Sequence, residues 1–171
     1  MAYNITEKCI GCTVCAKKCP VGAIDGEKKQ LHVIDTVACI DCGVCGSYCP
    51  VDCINDEIGR QTFKLKRTRP VAVVTSERCS GCENCVHVCP FNCLEMTADP
   101  SGNGYYKVAH NARPKNCVAC GMCEMVCGDK RSIQVRWPSG THCTSLSRDI
   151  PEDAIAEGQF GAQEVAEEVS V

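Results

Sequence analysis

Bulky apolar side chains are scarce in this sequence. Its 171 residues include one Trp, three Phe and four Tyr, and Leu, Ile, Val and Phe together number 35, about a fifth of the chain. Such a composition sits close to the limit below which a chain buries too little surface to fold unaided. No window approaches the roughly 18 consecutive apolar residues of a membrane-crossing helix, so membrane insertion is not expected. The opening stretch MAYNITEKC has neither a basic-then-apolar leader nor a twin-arginine pair, which makes a cytoplasmic location the expectation. A glycine-rich nucleotide loop and a nucleophile–base pair are also missing. No catalytic residue is expected, and any chemistry of substrates is expected in another chain.

Cysteine, by contrast, is abundant, at 19 residues. The stretch CIDCGVCGSYCP, Cys39 to Pro50, sets four thiols at the spacing C-x2-C-x2-C-x3-C and follows the last with proline. The spacing recurs in CIGCTVCAKKCP from Cys9, in CSGCENCVHVCP from Cys79 and in CVACGMCEMVCG from Cys117, where Gly128 replaces the proline. A disulfide scaffold is disfavoured, because thiols of a cytosolic protein stay reduced. Structural zinc is disfavoured too, because its paired C-x2-C knuckles converge four ligands on one ion, and four consecutive runs would strand thiols. The spacing is that of 4Fe-4S ligation, in which three thiols of a run hold one cluster and the fourth is aimed at another. Ligated clusters are then expected to stand in for the core that the apolar inventory cannot supply.

From Met1 to about Val135 the chain resembles a bacterial-type ferredoxin with two 4Fe-4S clusters, duplicated into a four-cluster polyferredoxin. The resemblance implies an α+β fold of tandem ferredoxin units, with short helices and small antiparallel hairpins around the clusters. It also implies crossed ligation. One cluster takes Cys9, Cys12, Cys15 and Cys49, and the second takes Cys39, Cys42, Cys45 and Cys19. The third takes Cys79, Cys82, Cys85 and Cys127, and the fourth Cys117, Cys120, Cys123 and Cys89. The 19-residue interval between Cys19 and Cys39 is similar to that of two-cluster ferredoxins and favours this neighbour pairing. Four-cluster subunits of molybdenum and tungsten oxidoreductases often pair the first run with the fourth and the second with the third, and that pairing stays open here. In function, the resemblance implies an electron carrier. One reading is the electron-transfer subunit of a larger anaerobic oxidoreductase, such as a tungsten aldehyde oxidoreductase, with end-to-end self-association extending the relay. The other is a freely diffusing low-potential ferredoxin.

Four segments are expected: a first two-cluster unit over 1–54, a basic linker over 55–70, a second two-cluster unit over 71–136, and an acidic tail over 137–171. Ala2–Ile5 and Pro70–Val74 read as strands feeding the first and third runs. Ala23–Ile24 with Leu31–Ile34, and Leu94–Met96 with Tyr105–Val108, read as hairpins, TFKLK at Thr62 to Lys66 as an alternating stretch, and Ser132–Trp137 as a closing strand. The net charge of −3 divides unevenly: Asp149 to Val171 carries seven acidic residues and no basic one. The basic excess elsewhere is not a nucleic-acid signal, because thiolate-held clusters are anionic and must be counted. The acidic tail and the basic stretch Arg60 to Arg69 are candidate docking elements.

Residues near the runs have quieter expectations. Cys53 and Cys93 read as small buried filler, His87 as solvated, and Cys143 as a thiol outside the sets. Asp41, inside the second run, places a carboxylate where an added electron becomes less favourable. Gly11, Gly43, Gly81 and Gly121 let the backbone approach sulfur closely. Gly128 leaves Cys127 less firmly aimed than its three counterparts.

Overall fold

In the computed structural model the chain is described over residues 2–65, 69–99, 106–144 and 146. The first two runs produce β1 (Asn4–Ile5), α1 (Val14–Lys18), β2 (Ile24–Asp25), β3 (Val33–Ile34), α2 (Val44–Tyr48) and β4 (Ile54–Asn55). The other two repeat the series with longer strands: β5 (Val71–Val74), α3 (Asn84–Val88), β6 (Leu94–Ala98), β7 (Lys107–Asn111), α4 (Met122–Cys127) and β8 (Ile133–Arg136).

Each helix is little more than one turn, too short to persist without tertiary support. Where proline follows the fourth cysteine, the residue before it is driven out of the helical region. Accordingly Cys19, Cys49 and Cys89 all have extended backbone and end their helices. Gly128 applies no such restraint. As a result α4 runs one residue further, through Cys127, which keeps helical angles (φ −72°, ψ −27°).

All strand pairs are antiparallel and two-stranded: β1 with β4, β2 with β3, β5 with β8 and β6 with β7. The first strand of each unit thus pairs with its last, and the inner hairpin closes the opposite side. Apolar residues meet where burial demands it, as in Ile5 opposite Ile54 and Ile24 opposite Ile34. The two hairpins expected from sequence form, and the second extends to Asn111. Its tip, residues 100–105, lies outside the described residues.

The core is built as much from cysteine as from aliphatic side chains. In the first unit Cys15, Cys45, Cys49 and Cys53 are buried with Tyr3, Ile5, Ile24, Ile34 and Ile54. In the second, Cys85, Cys93 and Cys123 are buried with Ala72, Leu94, Ala109 and Ile133. A third cluster joins the units: Val44 and Leu65 meet Val118, Ala119, Val135, Trp137, Cys143 and Leu146.

That junction changes two segments read from sequence. The stretch expected as a linker folds back along the first unit rather than spanning a gap. Leu65 N–H donates to Ser47 O at 3.0 Å and Thr62 N–H to Ile54 O at 2.8 Å, Lys64 N–H donates to the Asp52 carboxylate at 2.8 Å, and Gln61 bridges Asn55. The start of the expected tail is equally committed. After β8 the chain turns so that His142 bridges Arg136 and Cys143 N–H donates to Val135 O at 2.9 Å, burying Trp137, Cys143 and Leu146. The cause is the apolar face that each unit presents to the other. Residues 147–171, with the acidic stretch, lie outside the described residues.

Candidate iron-sulfur sites

The middle cysteine of each triplet is flanked on both sides by left-handed backbone. The pairs are Gly11 and Thr13 around Cys12, Asp41 and Gly43 around Cys42, Gly81 and Glu83 around Cys82, and Ala119 and Gly121 around Cys120, with φ between 55° and 78°. Two reversals so close together curl the loop around a point on its concave side. Glycine takes this conformation without strain, whereas Thr13, Asp41, Glu83 and Ala119 hold it at an energetic cost. A further left-handed residue follows each fourth cysteine: Gly22, Asp52, Asn92 and Arg131. Beyond it, Ala23 N–H approaches Cys19 Sγ at 3.2 Å and Cys93 N–H approaches Cys89 Sγ at 3.3 Å.

Four cavities result, each ringed by a crossed set of four thiols, with Cys53 a fifth at one and Cys93 a fifth at another. Cys9, Cys12, Cys15 and Cys49 line one, and Cys19, Cys39, Cys42 and Cys45 the next. Cys89, Cys117, Cys120 and Cys123 line another, and Cys79, Cys82, Cys85 and Cys127 the last. In every case three thiols come from one run and the fourth from its neighbour within the unit. Among the described residues no three His, Cys, Asp or Glu side chains gather closely enough to hold a single metal ion. Thiols ringing a cavity fit a polynuclear group better than a lone zinc, whose ligands converge on one point.

Left to themselves, six of these thiols, Cys15, Cys42, Cys45, Cys85, Cys120 and Cys123, resist ionisation. Burial, partly offset by a backbone hydrogen bond from Ala16, pushes Cys15 up to about 11, and Cys12, Cys9 and Cys49 add to the push. Cys42 is pushed up to about 12, again chiefly by burial, with Cys120, Cys19 and Cys39 contributing. Cys45 and Cys123 are raised further still, for the same reasons. Buried, mutually repelling thiols become thiolates beside a cation, and iron supplies that charge. The donor set therefore fits 4Fe-4S clusters in chemistry as well as in number.

The same neighbours give the cavities an order. Cys15 bears on Cys45, Cys120 of the second unit on Cys42 of the first, and Cys85 on Cys123. Cys42 and Cys120 also line a common cleft at the junction, of about 300 Å³. The sequence of cavities is thus Cys9, Cys39, Cys117, Cys79, with the second unit entered through its fourth run rather than its third. At the far end Cys82 is exposed, alone among the cysteines.

Cys127, read from sequence as loosely aimed, is held by a different device. Burial acts to raise this thiol, but the Ser132 hydroxyl at 3.0 Å, the Ile133 and Ser132 amides and the Lys130 charge outweigh it, and the net direction is downward. Cys53 and Cys93 are buried as expected. Burial raises both thiols, Cys93 to about 12, and Cys53 Sγ lies 3.5 Å from Cys49 Sγ. The His87 side chain is 76% exposed, near Glu83. Sequence reasoning missed Ser132, His32, which lines the Cys9 cavity, and Glu124. The Glu124 carboxylate accepts from Val135 N–H at 3.0 Å and contacts His142 Nε2 at 2.5 Å, tying the turn after β8 to α4. A histidine in an apolar strand was the available signal for His32.

Fold and thiol geometry together define a protein of tandem iron–sulfur ferredoxin units. The family description "4Fe-4S dicluster domain" matches residues 3–55, and a second family of the same description matches 38–93 and 78–130; the chain belongs to the 4Fe-4S dicluster domain proteins. It is 56% identical over 34 residues to an ion-translocating oxidoreductase complex subunit from Magnetococcus marinus and 50% identical over 34 residues to the counterpart from Thiobacillus denitrificans. The matched segment is 20% of this chain and 19% and 18% of those relatives, so it spans about a fifth of their length. Among solved structures, a chain of the formate dehydrogenase, heterodisulfide reductase and formylmethanofuran dehydrogenase complex from Methanospirillum hungatei aligns over 90% of this chain and 57% of its own, with 24% identity and a TM-score of 0.41. That likeness is too loose to argue from. Among the described residues no helix is long and apolar enough to cross a membrane.

Proposed function

We propose that this chain is the electron-transfer subunit of an oxidoreductase complex, and that it holds four 4Fe-4S clusters as a single relay. The ligand sets are the crossed ones: Cys9, Cys12, Cys15 and Cys49; Cys39, Cys42, Cys45 and Cys19; Cys79, Cys82, Cys85 and Cys127; Cys117, Cys120, Cys123 and Cys89. A 4Fe-4S cluster supplies a one-electron donor and acceptor whose potential follows the charge and hydrogen bonds around it. The protein's part is to fix distance, exclude water and set those surroundings. One observation carries the proposal: thiol-lined cavities lie in both units, and the units meet at Cys42 and Cys120 across a shared apolar core.

The units are taken as 1–54 and 71–136, with 55–70 between them and 137–171 following. The partner is a larger catalytic subunit, in the finer reading a tungsten or molybdenum aldehyde oxidoreductase of the cytoplasm. The exposed Cys82 end faces that partner, an acceptor or a second copy of the chain. Iron and acid-labile sulfide in anaerobically prepared protein test the reading, with about sixteen of each expected per chain. Saturation near eight, with every cysteine reduced, would overturn it.

A further inference from the structure

Behind each fourth cysteine the chain makes a left-handed turn, at Gly22, Asp52, Asn92 and Arg131. The positions that follow are Ala23, Cys53, Cys93 and Ser132, all of them buried. The backbone there serves the ligand. Ala23 N–H lies 3.2 Å from Cys19 Sγ and Cys93 N–H 3.3 Å from Cys89 Sγ, and the Ser132 amide hydrogen-bonds Cys127 in the same way. The side chains differ. Ala23 brings a methyl group to the Cys39 set, Cys53 a thiol 3.5 Å from Cys49 Sγ at the Cys9 set, and Cys93 a thiol to the Cys117 set. Ser132 brings a hydroxyl, its oxygen 3.0 Å from Cys127 Sγ, into the cavity of the Cys79 set.

The chain around Ser132 puts it there. With no proline after Cys127, α4 runs through that cysteine, a short turn over Gly128–Lys130 follows, and Arg131 reverses the backbone. Thr75 N–H then donates to Ser132 O at 2.6 Å, and the next residue, Ile133, pairs with Val74. Tied to the sheet and 6% exposed, the serine has its hydroxyl held on the cysteine sulfur.

We propose that in the cluster-loaded protein Ser132 Oγ–H donates a hydrogen bond to Cys127 Sγ and raises the reduction potential of the centre at the Cys79 set. The inference rests on the proposed cluster sites. The direction of the bond follows from ligation: a cysteine binds metal as its thiolate and has no proton to give, whereas a serine hydroxyl donates with no change of charge. A donor on a ligating sulfur offsets negative charge. The reduced centre, with one more electron, gains more from it than the oxidised one, and the potential rises. At the Cys39 set the same position is a methyl group and gives nothing. The centre tuned in this way is the one whose Cys82 is exposed, where electrons pass between the chain and its surroundings.

The test uses full-length protein with its clusters and the variants Ser132→Ala, Ser132→Thr and Ala23→Ser, with Cys82→Ser marking which EPR signal belongs to the Cys79 centre. Iron content should be unchanged in the first three. At a fixed ambient potential Ser132→Ala should lower the reduced-to-oxidised ratio of the Cys79 centre by on the order of tenfold, about 59 mV for one electron. The other three centres stay where they were. Ser132→Thr keeps the hydroxyl and should recover most of the shift, and Ala23→Ser should move the Cys39 centre upward. ENDOR of the reduced wild-type chain should show, at the Cys79 centre, a solvent-exchangeable proton that the Cys39 centre lacks. An unchanged titration in Ser132→Ala at full iron content overturns the proposal, as does a threonine variant shifted as far as the alanine one. Should Ser132→Ala lose the Cys79 centre, the wild-type spectrum decides alone, and equal exchangeable couplings at the two centres overturn the proposal. Wild-type protein without four centres would instead overturn the cluster assignment itself.

Discussion

The guanidinium carbon of Arg69 lies 3.7 Å from the ring centroid of Tyr48, and Arg69 Nη2 donates to Ser47 O at 3.2 Å. Lys18 Nζ approaches the same ring at 5.3 Å. Tyr48 ends α2 and packs against the core that joins the units, so Arg69 pins the returning chain onto the helix that carries Cys45. Arg69→Ala is expected to destabilise the cluster-loaded protein by about 1–3 kcal/mol, from the lost stacking and hydrogen bond. Arg69→Lys should recover little of it, because an ammonium neither stacks nor spans the same acceptors. Anaerobic thermal denaturation of both variants checks this; a lysine variant as stable as wild type would show that charge alone matters at this position.

Asp56 anchors the turn before that segment. Its side chain, 6% exposed, accepts from Ile58 N–H at 3.1 Å, Arg60 N–H at 2.8 Å and Arg60 Nε–H at 2.8 Å. Burial acts to raise the carboxyl, but these hydrogen bonds and the Arg60 charge prevail and hold it below its ordinary value. A carboxyl depressed on folding stabilises the fold above its unfolded pKa of about 4, and that stabilisation fades as pH falls through the lower folded value. Asp56→Asn should therefore lose about 1–3 kcal/mol at pH 7. Denaturant titrations should show a constant difference from wild type between pH 8 and pH 6. A gap that shrinks within that range would implicate another group.

The cysteine runs were legible because cluster ligation fixes spacing within a few residues, and so were the hairpins, whose apolar ends flank polar turns. What the sequence hid depends on contacts between distant segments. Trp137, Cys143 and Leu146 read as the head of a tail, yet the apolar face of the other unit buries them, as no local periodicity announces. Arg60 and Arg69 read as free docking charge, yet one holds Asp56 and the other stacks on Tyr48. Thr13 and Glu83 stand in left-handed positions against their own propensity, because the curl around the cavity is demanded four times over and outweighs local preference. His32 passed for a strand residue because the cavity it lines is assembled from distant segments.

Arg60 and Arg69 are engaged, and Lys66 and Arg67 of the same stretch lie outside the described residues. Asp149 to Val171, outside the described residues, still offers seven acidic groups and no basic one. Deleting 149–171 is expected to weaken assembly with the catalytic partner and to flatten its dependence on salt, since charge across an interface steers association and is screened by ions. Cluster absorbance should not change. Binding measured across ionic strengths decides the matter, and equal assembly of the truncated and full chains at every salt concentration would leave the segment without a docking role.

The crossing of ligands within a unit is testable at Cys49, because a neighbouring thiol complicates the simplest variant. Cys49 follows α2, which carries Cys45, but it lines the cavity of Cys9, Cys12 and Cys15. Cys53 Sγ stands 3.5 Å away, its thiol raised by burial and by its hydrogen bond with Cys49. In Cys49→Ala that thiol is close enough to ionise against iron and replace the missing ligand, so the single variant is expected to keep a perturbed centre with altered spectroscopic parameters. Cys49→Ala combined with Cys53→Ala removes the reserve. Iron should then fall from about sixteen to about twelve per chain, with the loss confined to the Cys9 centre and the Cys39 centre intact. Loss at the Cys39 centre would mean that Cys49 serves its own run, and loss at the Cys79 centre would favour pairing across the units.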